Sequence, residues 1–163
     1  MAQKGGKETM KPTAGELIKV LAEHYERRKS DWVFFPELRL GTGYKSTRRQ
    51  ACSVEQRIDA FAMCMFPSRG FERHAFEVKV SRSDWGKEMR DPLKRLPAYR
   101  VCNRFYFAVP PGLVKADEVP AEAGLVEVGD KVRVVLQAPF HESDAPHWPF
   151  VASLARRVFK AGV

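Results

Sequence analysis

Phe105-Tyr106-Phe107-Ala108-Val109 is a nearly continuous apolar run, opened by Arg104 and stopped by Pro110-Pro111-Gly112. A strand on a solvated sheet alternates apolar and polar residues, so a run without alternation belongs to a strand covered on both faces. Such a strand imposes layers, with helices above and below the sheet. The segment before it reads as helix, so the run is expected to enter the sheet by a crossover and to lie parallel to the preceding strand. With 163 residues, 44% of them hydrophobic, the chain is long enough to bury such a centre in one domain.

The other elements follow from period and punctuation. Thr13 with Glu16 forms a capping box, and Leu17, Val20, Leu21, His24 and Tyr25 continue at helical spacing to about residue 28. Residues 32–40, 57–63 and 76–80 read as strands. Ser83 or Asp84 can cap a helix over 84–90, which Pro92 and Pro97 break before a second piece over 93–100. Residues 124–128 and 132–136 alternate around Gly129-Asp130 as an edge hairpin. Residues 150–160 form a last helix, with Leu154, Val158 and Phe159 expected to face inward. The expected architecture is α/β, a mixed central β-sheet flanked by helices. Residues 1–12, polar and lysine-rich, are expected to be a flexible tail before a single domain over 13–163.

Chemistry concentrates in Phe76-Glu77-Val78-Lys79-Val80. Side chains alternate along a strand, so Glu77 and Lys79 project from one face and Phe76, Val78 and Val80 from the other. Upstream, Asp59 lies in a second strand, and Pro67-Ser68-Arg69-Gly70 supplies the turn that lets the two strands pair as a hairpin. Two readings compete on spacing alone. The three residues form an acid cluster with its own cation, or Glu77 and Lys79 are a solvated same-face pair and Asp59 is neutralised by Arg57. Glu37, in an apolar strand, is either a third acid of the cluster or the partner of Arg39 or Arg57.

The formal charge of +8 favours a polyanionic partner, with nucleic acid the commonest. Residues 41–56 form a Gly-rich, basic loop in which Lys45, Arg48 and Arg49, followed by Arg57, are suited to phosphates; a merely solvated loop is the alternative. Arg82, Lys94 and Tyr99 belong to a second segment that interleaves cations with aromatics. Cys52, Cys64 and Cys102 make neither a disulfide framework nor a zinc pattern. No apolar run reaches membrane-spanning length and the N-terminus lacks a signal-peptide core, so a cytoplasmic location is expected.

Phe35-Pro36-Glu37-Leu38-Arg39-Leu40, then Arg57-Ile58-Asp59-Ala60, then Glu77-Val78-Lys79-Val80-Ser81-Arg82-Ser83-Asp84-Trp85, then Tyr99 to Pro111 come in an order that resembles the MmcB-like bacterial DNA-repair proteins. These are a branch of the PD-(D/E)XK, or restriction-endonuclease-like, nuclease superfamily. The resemblance runs from about Phe34 to the C-terminus and is interrupted by the inserted loop at 41–56. It implies a restriction-endonuclease-like sheet that binds Mg²⁺ or Mn²⁺ through Asp59, Glu77 and the Val78 carbonyl, with Glu37 at a matching acidic position. Lys79 would then position the attacking water, and Ser81, Lys94 and Tyr99 would lie near the acids.

First-helix acids join the metal in some branches, which leaves Glu16 and Glu23 as lesser candidates. The expected function is metal-dependent DNA processing by an endonuclease-like domain, in DNA repair or in phage or mobile-element DNA metabolism, with a homodimer as the form that cuts two strands. A nuclease-fold protein that binds nucleic acid without cutting it, or a basic adaptor, are the competing classes.

Overall fold

The computed structural model describes residues 11–27, 31–41 and 57–162. One sheet holds six strands in chain order: β1 (Trp32–Arg39), β2 (Arg57–Cys64), β3 (Arg73–Val78), β4 (Arg104–Val109), β5 (Gly124–Val128) and β6 (Val132–Leu136). The first three form an antiparallel meander, β3, β4 and β5 run parallel, and β6 returns antiparallel on β5. Among the described residues four α-helices accompany the sheet: α1 (Ala14–Glu26), α2 (Arg82–Arg90), α3 (Leu96–Val101) and α4 (Trp148–Lys160).

The apolar run is β4, inside the sheet and covered on both faces. Phe105, Phe107 and Val109 pack with Trp85 of α2, Ala98 and Val101 of α3, and Phe150 of α4. Tyr106 and Ala108 turn the other way, into a core that contains Leu17, Leu21 and Tyr25 of α1. The fold is therefore α/β, a six-stranded mixed sheet with α1 on one side and α2 to α4 on the other. Among the described residues no helix is long and apolar enough to cross a membrane.

Local signals set most boundaries. Thr13 Oγ1 accepts from the Glu16 amide at 3.3 Å while the Glu16 carboxylate accepts from the Thr13 amide at 2.6 Å, the reciprocal capping box. The α2 cap differs from expectation. It is Ser81, whose hydroxyl accepts from the Asp84 amide at 3.1 Å. Ser81 is the last residue with extended backbone (φ −145°, ψ 157°), so Ser83 and Asp84 fall inside the first turn. Pro92 opens a short 3-10 turn over Pro92–Arg95 and Pro97 sits in the first turn of α3, where a missing N–H does no harm.

The C-terminal helix also departs from expectation. It buries Phe150 and Ser153, whereas Val158 is 43% and Phe159 81% exposed. Helical spacing marks a stripe but cannot supply a surface to cover it, and from Ala155 onward every described residue of α4 is exposed.

Gly124 enters β5 against Tyr106, its register partner in β4. A Cβ there would lie 2.5 Å from the Ala138 amide nitrogen and 2.6 Å from the Tyr106 ring. Gly124→Ala is expected to cost about 1–3 kcal/mol through overpacking, read as a lower urea midpoint at unchanged slope. A variant as stable as the parent would contradict this close approach.

Candidate active site at the ends of β2 and β3

The site grows from an interrupted ladder. On the β4 side, the Lys79 amide donates to the Ala108 carbonyl at 3.0 Å, so the N–H and C=O of Val78 point the opposite way, toward β2. Pairing between β2 and β3 runs from Met63↔Arg73 to Ala60↔Phe76 and stops there. Continued, that register would offer Val78 the carbonyl of Ile58. Instead the Val78 amide donates to Asp59 Oδ2 at 2.8 Å.

A reversal of strand phase places Asp59 in this role. Ala60, Ala62 and Cys64 face the α1 core, yet Ile58, in step with them, packs in the opposite core with Phe61 and Leu38. The neighbouring strand does the same, with Trp32 and Phe34 on the α1 side and Leu38 and Leu40 on the other. Both reversals fall at one level of the sheet, Asp59 in β2 and Glu37 in β1, between the pairs Pro36↔Ala60 and Leu38↔Ile58. Glu37 has φ +47°, a left-handed conformation costing a non-glycine residue about 1–2 kcal/mol. Pro36 is tolerated because β1 is an edge strand.

The expected trio is brought together. Lys79 Nζ donates to Glu77 Oε1 at 2.7 Å, from the same face as the alternation requires. Burial raises the Asp59 carboxyl above its ordinary range, against the pull of the Val78 amide and Lys79, and Glu37 and Glu88 add to the rise. Burial, reinforced by Asp59, pushes Glu77 up to about 7 despite Lys79. Burial pulls the Lys79 ammonium down, but Glu77 and Glu88 outweigh it and hold it above its usual value. Asp59 has no ion pair with Arg57 among the described residues, and Glu37, exposed, has none with Arg39 or Arg57. Glu37 reaches the cluster only through its charge, which adds to the rise at Asp59.

Glu88 is the residue the motif missed. It comes from α2, is 5% exposed at its side chain, and accepts from Lys79 Nζ through Oε2 at 3.1 Å. A signal existed in the chain: Trp85 marks the inward face of α2, and Glu88, three residues on, shares that face.

Carboxylate and carbonyl oxygens are the donor types a hard divalent cation takes. One oxygen of each carboxylate, Asp59 Oδ1 and Glu77 Oε2, has no hydrogen-bond or ion-pair partner among the described residues, and the Val78 carbonyl lies on the β2 side of β3. No group of three or more His, Cys, Asp or Glu side chains is gathered at metal-binding spacing among the described residues. Glu16 is occupied by its capping box, and Glu23 borders a groove with His24, Arg27, Asp130 and Lys131. Cys64 and Cys102 are free and buried.

The remaining candidates spread out. Lys45, Arg48 and Arg49 lie outside the described residues. Ser81 caps α2, and Arg82 donates to both carboxylate oxygens of Glu118, at 2.6 and 3.0 Å. Lys94, 69% exposed, sits 3.7 Å from Asp91. Tyr99 does not join the acids. It stacks on His141 with ring centroids 3.7 Å apart, and His141 is bonded to Asn103 at the opposite end of β4. Arg57, exposed, stands directly across from Arg39.

Comparison with family models and with curated proteins finds no match. Among solved structures, the chain is similar to SPO1766, a protein of unknown function from Silicibacter pomeroyi, with a TM-score of 0.60 and 23% identity over 93% of this chain and 88% of that one. The likeness extends the α/β fold to that protein and carries no activity.

The raised acids leave a signature in stability. Glu77 keeps its proton in the folded state between its ordinary value of 4.5 and about 7, where the unfolded chain has lost it. Stability from this group is therefore full below about 4.5 and lost as pH rises through 7, by about 1–3 kcal/mol. Glu72, held at about 2 by His74 and Arg104, has its contribution complete above 4.5 and does not mask the slope. Denaturation at pH 5 and pH 8 should show the loss in the parent protein and a flatter profile in Glu77→Gln; equal slopes in both would refute the assignment.

Proposed function

We propose that this chain is a metal-dependent DNA-processing protein of the PD-(D/E)XK kind, an endonuclease-like domain that hydrolyses phosphodiesters. The observation that carries the reading is the Asp59 carboxylate seated on the Val78 amide, next to Glu77, whose own carboxylate holds the Lys79 ammonium. Two half-buried acids, both raised by desolvation and Glu77 raised further by Asp59, are poorly matched to any role that leaves them uncompensated. A divalent cation between them would supply that compensation.

Hydrolysis needs a nucleophilic water, neutralisation of phosphoryl charge and a proton for the leaving oxygen. A bound Mg²⁺ or Mn²⁺ supplies Lewis acidity and lowers the pKa of a coordinated water. The free oxygens of Asp59 and Glu77 and the carbonyl of Val78 would hold it. Lys79 has three donors, two of them committed to Glu77 and Glu88, and offers the third to the water or to a phosphoryl oxygen. Arg39 and Arg57 face each other across β1 and β2 with no carboxylate partner among the described residues. Like charges so placed repel, and a phosphate backbone would relieve them. The net charge of +8 supports the same partner. We place this work in the cytoplasm, in DNA repair or mobile-element DNA metabolism, with two copies acting on the two strands of a duplex.

Labelled single-stranded, duplex and branched DNA with Mn²⁺ or Mg²⁺ tests the proposal. Cleavage should fall by about 100-fold or more in Asp59→Asn, Glu77→Ala and Lys79→Ala. If no substrate is cut, or the variants cut as well as the parent, the catalytic reading fails. Salt-sensitive DNA binding would then favour a non-cutting binder, and its absence an adaptor.

Metal binding is read separately. Mn²⁺ at saturating concentration should raise the melting temperature of the parent protein and leave that of Asp59→Asn unmoved, because only a ligand bound to the folded state stabilises it. An equal rise in both would place the metal elsewhere.

A further inference from the structure

Lys79 is gripped from two sides. Glu77 Oε1 lies 2.7 Å and Glu88 Oε2 3.1 Å from its ammonium. The other oxygen of Glu88 meets Arg95 Nη1 at 3.4 Å, and Arg95 Nη2 continues to Glu122 Oε1 at 2.9 Å. Charges therefore alternate in sign along Glu77, Lys79, Glu88, Arg95 and Glu122, linking β3, α2, the turn at Pro92–Arg95 and the approach to β5. Its middle is dry. The side chains of Glu88 and Arg95 are 5% and 7% exposed, and the Arg95 guanidinium lies 5.6 Å from the Phe107 ring centre.

Taking charges out of water is expensive, and apolar side chains of similar volume would join the same elements more cheaply. What a chain of charges provides, and an apolar contact does not, is a fixed position for an ammonium. A lysine head on a four-carbon stem is otherwise free to swing.

We propose that Glu88 is a positioning residue for Lys79, and that Arg95 serves it by holding Glu88 in place from behind. Glu88 and Glu77 together orient the ammonium so that its remaining donor points to the gap beside Asp59. Arg95 and Glu122 fix the Glu88 carboxylate from the side away from the site. This inference rests on the reading of Lys79 as the cation of the proposed active site, but the geometry can be tested without any activity.

The direct readout is the mobility of the Lys79 side chain, measured by ¹³C relaxation of its Cε methylene in the full-length protein. The parent should show a rigid Lys79, with order falling stepwise in Glu88→Gln, which keeps volume and one acceptor, and in Glu88→Ala, which keeps neither. Arg95→Met, with Glu88 retained, should loosen Lys79 as well. In DNA cleavage with Mn²⁺, Glu88→Ala should lower kcat by about 10- to 100-fold at unchanged KM, since a misplaced group costs rate rather than affinity. Glu88→Gln should recover part of that loss.

Equal Lys79 order in all four proteins overturns the inference, whether or not the protein cuts DNA. Loss of order without loss of kcat in an active parent overturns it too. If the parent cuts no substrate, the proposed function fails, and Lys79 order alone decides whether Glu88 positions it.

Discussion

Burial of β4 on both faces is the constraint on which the rest of this structure depends. A strand with Phe105 and Phe107 on one side and Tyr106 and Ala108 on the other stays dry only between two layers of helix. It also needs hydrogen-bonded neighbours on both edges, and the parallel strands β3 and β5 provide them. A parallel neighbour demands a crossover, and the crossover from β3 to β4 contains α2 and α3. The end of β3 and the beginning of α2 are thereby forced together above the sheet. Glu77, Lys79 and Glu88 meet for that reason, although they lie on two different elements.

Much of this was legible in the chain. The period of two puts Glu77 and Lys79 on one face, turn chemistry at residues 67–70 pairs β2 with β3, and Thr13 with Glu16 marks the start of α1. Illegible features share a physical origin, since each depends on something no local pattern encodes. The phase reversal at Asp59 and Glu37 requires a left-handed backbone at a glutamate, and no residue preference announces it. The place of Glu88 depends on where α2 starts, and Ser81 competes with Ser83 and Asp84 for that cap. The outer turns of α4 repeat apolar residues at helical spacing, but periodicity cannot tell whether a surface waits for them. Stacking of Tyr99 on His141 joins residues 42 positions apart in the chain and leaves no trace in either neighbourhood.

Two glutamates near opposite ends of β3 show how far environment governs a carboxylate. Glu72 precedes the strand, beside His74 and Arg104, whose donors hold it at about 2. Tyr25 bonds His74 from α1 at 2.7 Å, and Arg104 extends to the Ala138 carbonyl, so Glu72 is part of a well-satisfied network. Glu77, near the other end of the strand, is half-buried beside Asp59 with one lysine donor and rises to about 7. One end of the strand has charges in balance, and the other has acid in excess. That asymmetry runs along a single element, and it separates the end that holds the sheet to α1 from the end where the acids gather.

The bond from the Val78 amide to Asp59 gives the backbone a stake in the state of the site. In an unbroken ladder that proton would be protected by a carbonyl that never changes charge or place; here its acceptor is a titratable side chain on a neighbouring strand. Anything that draws the Asp59 carboxylate aside leaves a main-chain donor to find water. The exchange rate of that one amide proton therefore follows the charge and place of the Asp59 carboxylate, readable from the backbone without touching the acids themselves.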